Sequence, residues 1–433
     1  MSQSSQVLRD GPNESIDELL FLHNSVVGSR IIDALLRRSM DFGRPRPPCA
    51  LHSIRWRLLT GLLPSNVDAA HYAEVWAACT AECIDGWHAL NAKIQSRLKD
   101  NSSYWRRVGK KGRFADGDST DGESDEESVG LENPLLPAEG SSYALRYQQN
   151  ALCTAIMMDV KRLHWDIPFF DSESSQKHLL DLLANYCLEH NCDYKQGLHE
   201  IAAFVMYNTH KDASLIKSLL SEGSNEHAAL PTTFASICPM HGVVAVSFYI
   251  FSAIMHEAGL NLSRWYYLND TGGDDTAVAA RNVQCKFLEQ LDPDLHNQMN
   301  NVYEIEPMSY LMRWLRLLFL REFSLAQCAD LWDVFLSERC LAKQKSYCIN
   351  ESTVTAVAVF MLLRAKSQLM GGCNEALMCV MRYPSVSDIC SLVKRAVHFI
   401  DSSGRSIGRY LACASQSEFE KAQLIMHSFP RRA

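Results

Sequence analysis

Apolar residues recur along this chain at three- and four-residue steps. From Leu198 onward, Leu198, Ile201, Ala202, Val205 and Met206 trace one face of a helix. Gly197, just before them, has the backbone freedom to end a loop. The same spacing runs through "SIDELLFLHNSVVGSRIIDALLRR" (15–38), "AHYAEVWAACTAECIDGWHALNAKI" (70–94), "SQKHLLDLLANYCLEH" (175–190) and "VTAVAVFMLLRAK" (354–366). Within "YLMRWLRLLFLREFSLAQCADLWDVFLSE" (310–338), Ser324-Leu-Ala-Gln327 reads as a capping box, hydroxyl and amide each serving an orphan N–H of the other's backbone. Leu325, Cys328, Leu331, Trp332, Phe335 and Leu336 then form its buried stripe. No alternating run is long enough for a convincing strand. The pattern predicts an all-α, multi-helix array.

Two polar stretches interrupt it. "RRVGKKGRFADGDSTDGESDEESVG" (106–130) opens with five basic residues and passes into a tract with seven acids. Such a tract buries too little apolar surface to offset its ordering entropy, so a disordered acidic insertion is expected. Ser124, followed by Asp-Glu-Glu, is a candidate for an acidophilic kinase. "NDTGGDDTAVAARN" (269–282) reads as a shorter exposed loop.

Composition then narrows the class. With 433 residues, 47% hydrophobic and 21% charged, the chain can bury a large core. A net charge of −8 makes nucleic acid a poor partner. The 15 cysteines stand singly among apolar positions; the nearest pairs are Cys79 with Cys83 and Cys187 with Cys192, and no CxxC exists. That is how reduced cysteines serve as small core hydrophobes, and the expectation is a cytoplasmic protein. The N-terminal residues lack a signal-peptide core. The most apolar run, "GVVAVSFYIFSAIM" (242–255), is too short to cross a bilayer and is expected as a buried helix, with no direct membrane insertion.

Common catalytic signatures are missing: no GxxxxGK[ST], no GxSxG, no HExxH, and no metal-ligand spacing among the 15 histidines. Two short features carry other chemistry. In "ALCTAIMMDVKRLHWDIPFF" (151–170), Leu152, Ala155, Ile156 and Val160 lie toward one side of a helix, and Asp159 and Arg162, at i and i+3, can touch. The pair is either a routine surface ion pair or a carboxylate holding an arginine extended toward a partner's phosphate; the planar, permanently charged guanidinium suits the second task. Gln196, polar and uncharged, stands at the mouth of the Leu198 helix and on its own is an ordinary surface glutamine.

Taken together these residues carry a resemblance. I-x-x-D-x-x-R at Ile156–Arg162 and Y-x-Q-G at Tyr194–Gly197 resemble the paired finger motifs of TBC domains, the Rab GTPase-activating proteins. "IRWRLLTGLLP" (54–64) is similar to the family's opening helix, and "RWLRLLFLREFSLAQCADLWDVF" (313–335) to its late Arg-Glu-Phe…Leu-Trp-Asp segment. "DVKR" with "YKQGLHE" is most similar to the endosomal branch that works with the retromer coat. One departure is visible: where the family follows its arginine with Thr-x-Pro, this chain has Leu163-His164-Trp165, which changes the turn leaving the helix.

The resemblance implies a TBC-type array of two helical subdomains. It divides the chain into a leader and first helix (1–27), the N-terminal part of the domain (28–105), the charged insertion (106–142), a finger subdomain (143–230), a C-terminal subdomain (231–400) and a tail (401–433). It implies an activator with no independent reaction of its own, Arg162 and Gln196 completing the site of a Rab-family GTPase in trans, and Asp159, Tyr194 and Gly197 shaping the fingers. No cofactor of its own follows; the GTP and Mg²⁺ are the partner's. A TBC-fold adaptor that binds a Rab or the coat without stimulating hydrolysis is the alternative. In "GLENPLLPAEGS" (130–141), Leu131, Leu135 and Leu136 are stranded in polar sequence between prolines. Either they tuck onto the helical body, or they dock. By resemblance, Asn133-Pro134-Leu135 looks like the element that engages retromer's small phosphoesterase-like subunit, which would recruit the protein peripherally to endosomal membranes.

Overall fold

The computed structural model describes residues 12–27, 31–40, 51–111, 142–163, 165, 167–222, 229–269, 271–341 and 347–402. Every regular element among the described residues is helical. The elements that matter for the site are α1 (Pro12–Val27), α2 (Ile31–Met40), α3 (His52–Thr60), α4 (Tyr72–Lys111), α5 (Ser142–Val160), α6 (Pro168–Asp171), α7 (Glu173–Glu189) and α8 (Leu198–Glu222). Two compact units result, one of Met1–Ala81 with Glu200–Ala433, the other of Glu82–His199. The finger subdomain expected at 143–230 thus shares 143–199 with the second unit, which also takes the C-terminal part of α4. That part of α4 meets α7 through the Asn91–Asn185 amide pair and the exposed Lys93–Glu189 ion pair at 3.3 Å, contacts that no local pattern encodes.

In the first unit α3 is buried along its whole length, although it carries two arginines. Arg55 is 1% exposed and lies between two carboxylates: Nη2 donates to Glu18 Oε1 at 2.5 Å and Nη1 to Asp333 Oδ2 at 2.8 Å. Burial alone would pull the guanidinium's pKa down, but Glu18 and Asp333 outweigh it and push it up. Asp333 also meets His52 Nδ1 at 3.1 Å and accepts from Trp56 Nε1 at 2.9 Å, so one carboxylate on the helix Leu325–Leu341 gathers three side chains of α3. Gly61, in the left-handed region at φ +81°, closes α3.

The capping box is present as expected: Ser324 N–H donates to Gln327 Oε1 at 3.1 Å, and Gln327 N–H to Ser324 Oγ at 3.3 Å. Val243–Met255 is the expected core helix. It belongs to a longer run, Leu230–Met255, that is long and apolar enough to cross a membrane, but the helix is interrupted at residues 236–239 and the run is mostly buried inside the protein.

Two expectations need correction. Residues 106–111, assigned to the disordered insertion, are the last turns of α4. Arginine and lysine are good helix formers, and cations suit a helix C-terminus. The stretch 269–282 is not all loop: Asp275–Arg281 is a helix, capped by Asp274, whose carboxylate accepts from Thr276 N–H at 2.9 Å, with Ala279 and Ala280 buried. The cap residue was legible, but the buried face of Asp275, Thr276, Ala279 and Ala280 carries no large apolar side chain to mark it. Residues 112–141 and 403–433 lie outside the described residues, and with them Ser124 and Asn133-Pro134-Leu135.

Candidate functional site

The second unit contains all six fixed residues of the two finger motifs. α5 delivers Ile156 and Val160 to the core, 0% and 2% exposed, and ends at Val160, so Arg162 sits two residues beyond the helix with its side chain exposed. Its backbone N–H returns to the Asp159 carbonyl at 2.9 Å. Beyond it, the Trp165 ring lies 5.4 Å from that of Phe170, and Ile167 caps α6 with Pro168 in the first helical position. Aromatic packing and a proline three residues beyond Trp165 therefore shape the exit where the family's Thr-x-Pro is absent.

The other motif follows α7. Tyr194 is half-buried, Lys195 and Gln196 are exposed, and Gly197 is buried at φ +105°, a left-handed conformation that favours glycine. The Lys195 carbonyl accepts from Leu198 N–H at 3.2 Å, closing the turn into α8. Leu198, Ile201, Ala202, Val205 and Met206 are all buried as expected, but so are Ala203 and Phe204; this end of α8 is surrounded and not merely striped.

The two motifs are joined through Tyr194. Its hydroxyl donates to Asp159 Oδ2 at 2.9 Å, linking residues 35 positions apart. The same hydroxyl meets His199 Nδ1 at 2.9 Å. The Gly197 N–H also donates to that Nδ1, at 3.4 Å, so the imidazole nitrogen sits between the tyrosine and the loop backbone. His199 is 3% exposed, and its Nδ1 lies 3.8 Å from Asp159 Oδ2. A carboxylate at a helix C-terminus is disfavoured by the helix dipole, and the Tyr194 hydroxyl on its side offsets that.

The geometry corrects one expectation. Asp159 does not hold Arg162: among the described residues no ion pair joins them, and the carboxylate faces Tyr194 instead. The i, i+3 geometry that would pair them needs a continuing helix, and α5 stops before Arg162. Sequence reading also missed His199. Its signal was a polar residue inside the apolar start of α8, five positions after Tyr194.

Residues 137–370, more than half of the chain, match the sequence model of the Rab-GTPase-TBC domain. The chain belongs to that family. This TBC domain is 28% identical over 291 residues to TBC1 domain family member 5 of Mus musculus, an alignment covering 63% of this chain and 34% of the relative. The Homo sapiens protein of that name matches at the same identity, with 35% of it covered. GTPase-activating protein GYP1 of Saccharomyces cerevisiae is 22% identical over 200 residues, 46% of this chain and 29% of that one. The chain thus spans about a third of the length of the curated relatives it matches. Among solved structures, the crystal structure of the Ypt/Rab-GAP domain of Gyp1p superposes with a TM-score of 0.58 at 17% identity, covering 90% of this chain and 98% of that one. The shared fold therefore reaches well beyond the residues matched by the sequence model.

Proposed function

We propose that this chain accelerates GTP hydrolysis on a Rab-family GTPase, with Arg162 and Gln196 inserted in trans. The reading rests on one observation above the others: the Tyr194–Asp159 hydrogen bond ties together the two segments that carry them, while both finger side chains stay exposed. Charge developing on the transferred γ-phosphoryl group is what an inserted arginine stabilises, with effects on the order of 10³–10⁵ in rate. Gln196, able to donate and accept, holds the attacking water, a task for an amide and not for a charged group. Gly197, buried at a positive φ, lets the loop turn directly into α8 behind Gln196.

A panel of purified Rabs, assayed for GTP hydrolysis with and without the chain, tests this. At least one Rab should be strongly stimulated. Arg162→Lys should lose most of the stimulation, because lysine cannot reproduce the guanidinium fork. Gln196→Ala should be severely impaired too, and the double variant only slightly worse than either. Full stimulation by both single variants would sink the two-finger reading; binding of a Rab with no stimulation by the wild type would make the chain an adaptor.

Endosomal action is part of the same proposal, supported by the resemblance of "DVKR" with "YKQGLHE" to the retromer-associated branch. Asn133-Pro134-Leu135 would dock on retromer's small phosphoesterase-like subunit with Leu135 as the anchor, a preset extended segment losing little entropy on binding. Leu135→Glu should abolish that binding in calorimetry and leave hydrolysis in solution unchanged. Retained binding rejects the docking, and a loss of solution activity places Leu135 in the fold instead.

A further inference from the structure

The loop carrying Gln196 begins with a turn sealed by two thiols. α7 ends at Glu189, and the Cys192 N–H then donates to the Cys187 carbonyl at 3.0 Å, across Asn191 in the left-handed region at φ +48°. This is the six-to-one bond of a Schellman turn, whose two bonded residues ordinarily touch through apolar side chains. Here those residues are Cys187, buried, and Cys192, half-buried. A backbone hydrogen bond holds two Cα atoms within the roughly 4.4–6.8 Å that a disulfide spans. The pair is within bridging reach, and closing the bridge must draw the two sulfurs, and the chain that carries them, together.

We propose that Cys187 and Cys192 are a modification site: a hydroperoxide converts them to a disulfide that displaces the Gln196 loop. The effect on hydrolysis rests on the function proposed above; the bridge itself does not. The Cys192 thiolate, the more accessible, attacks the peroxide O–O bond, becoming a sulfenic acid as the other oxygen leaves as alcohol or water. The Cys187 sulfur then attacks the Cys192 sulfur, its proton leaving with the hydroxyl as water. Two thiols lose two electrons to one hydroperoxide. Cys187 is buried and Cys192 is the more exposed of the two, so the first oxidation falls to Cys192; the neighbouring Cys192 thiol and burial push the Cys187 thiol up in the same sense. A disulfide draws the sulfurs to about 2.05 Å, inside any hydrogen-bond separation. The chain after Cys192 must absorb that movement, and Tyr194 and Gln196 are its next landmarks. Misplacing a reacting group by about 1 Å can cost on the order of 10²-fold.

The test treats the full chain with hydrogen peroxide or dithiothreitol and maps unreduced peptides by mass spectrometry. A Cys187–Cys192 cross-link that dithiothreitol reverses is expected, while the exposed Cys348 and Cys373 acquire only single-thiol oxidation. Amide exchange over residues 193–198 should quicken about tenfold on oxidation, and Rab-stimulated hydrolysis should fall by a similar factor and recover on reduction. Cys192→Ser and Cys192→Ala, checked for unchanged melting, should be fully active and indifferent to peroxide. Cys192 found only as sulfinic or sulfonic acid, or bridged elsewhere, overturns the site. A bridge with unchanged exchange over 193–198 overturns the effect on the loop, whether or not any Rab responds.

Discussion

Tyr194 shows how much one oxygen atom can organise. Its hydroxyl is the junction between Asp159 and His199, and neither partner is adjacent to it in sequence. Tyr194→Phe keeps the ring and its packing but leaves the Asp159 carboxylate without that donor. The net loss in stability should be about 1 kcal/mol, the ordinary worth of such a bond. Its effect on function should be larger, roughly tenfold on stimulated hydrolysis, because finger position is sensitive on the ångström scale. Melting and kinetics on the same variant separate the two. A fall in hydrolysis no larger than the fall in stability would mean that the junction only supports the fold. Asp159, Tyr194 and Gly197 were readable as motif residues, whereas the direction in which Asp159 points was not. That direction depends on where α5 stops.

Among elements, the helix Leu325–Leu341 is the one most completely written in its own sequence. Its capping box and its start follow from local spacing, whereas its burial exceeds the expected stripe, leaving Leu325 half-buried and enclosing Asp333, Val334, Ser337 and Glu338 as well. Ser324→Ala should cost about 1 kcal/mol, and for a domain of this size that lowers the melting temperature by roughly 2–4 °C. An unchanged melting curve would mean that Gln327, which also donates to the Val386 carbonyl at 2.8 Å, holds the helix start alone. Elements with weaker stripes were harder to read. Asp275–Arg281 buries only small residues, and the last turns of α4 carry charge that looked like the start of an insertion.

For the whole molecule, buried charge is the decisive feature. Glu338 accepts from Thr353 N–H at 2.9 Å in a fully enclosed position, and burial, only partly offset by that bond, pushes its pKa from 4.5 up to about 7. The folded state therefore holds a proton that the unfolded chain gives up. The stability this contributes is complete below pH 4.5 and is lost as pH rises through about 7. Its size is roughly 3 kcal/mol. Glu338→Gln keeps an acceptor for Thr353 and removes the titration. Relative to wild type, the variant should gain stability steadily across that window, measured by denaturant unfolding at several pH values. A constant difference between the two proteins would show that Glu338 is already ionised or already neutral throughout.

The sequence by itself determined the helical class, the starts and apolar faces of individual helices, and the two finger motifs. These depend on residues within a few positions of one another, and helical periodicity records them directly. Only the tertiary structure decided that Arg55 and Asp333, 278 residues apart, meet inside the core. It also turned Asp159 toward Tyr194 instead of Arg162 and brought His199 in behind the tyrosine. Such pairings depend on which buried polar groups must be satisfied when distant helices meet, and a carboxylate's residue type names its needs without naming its donor.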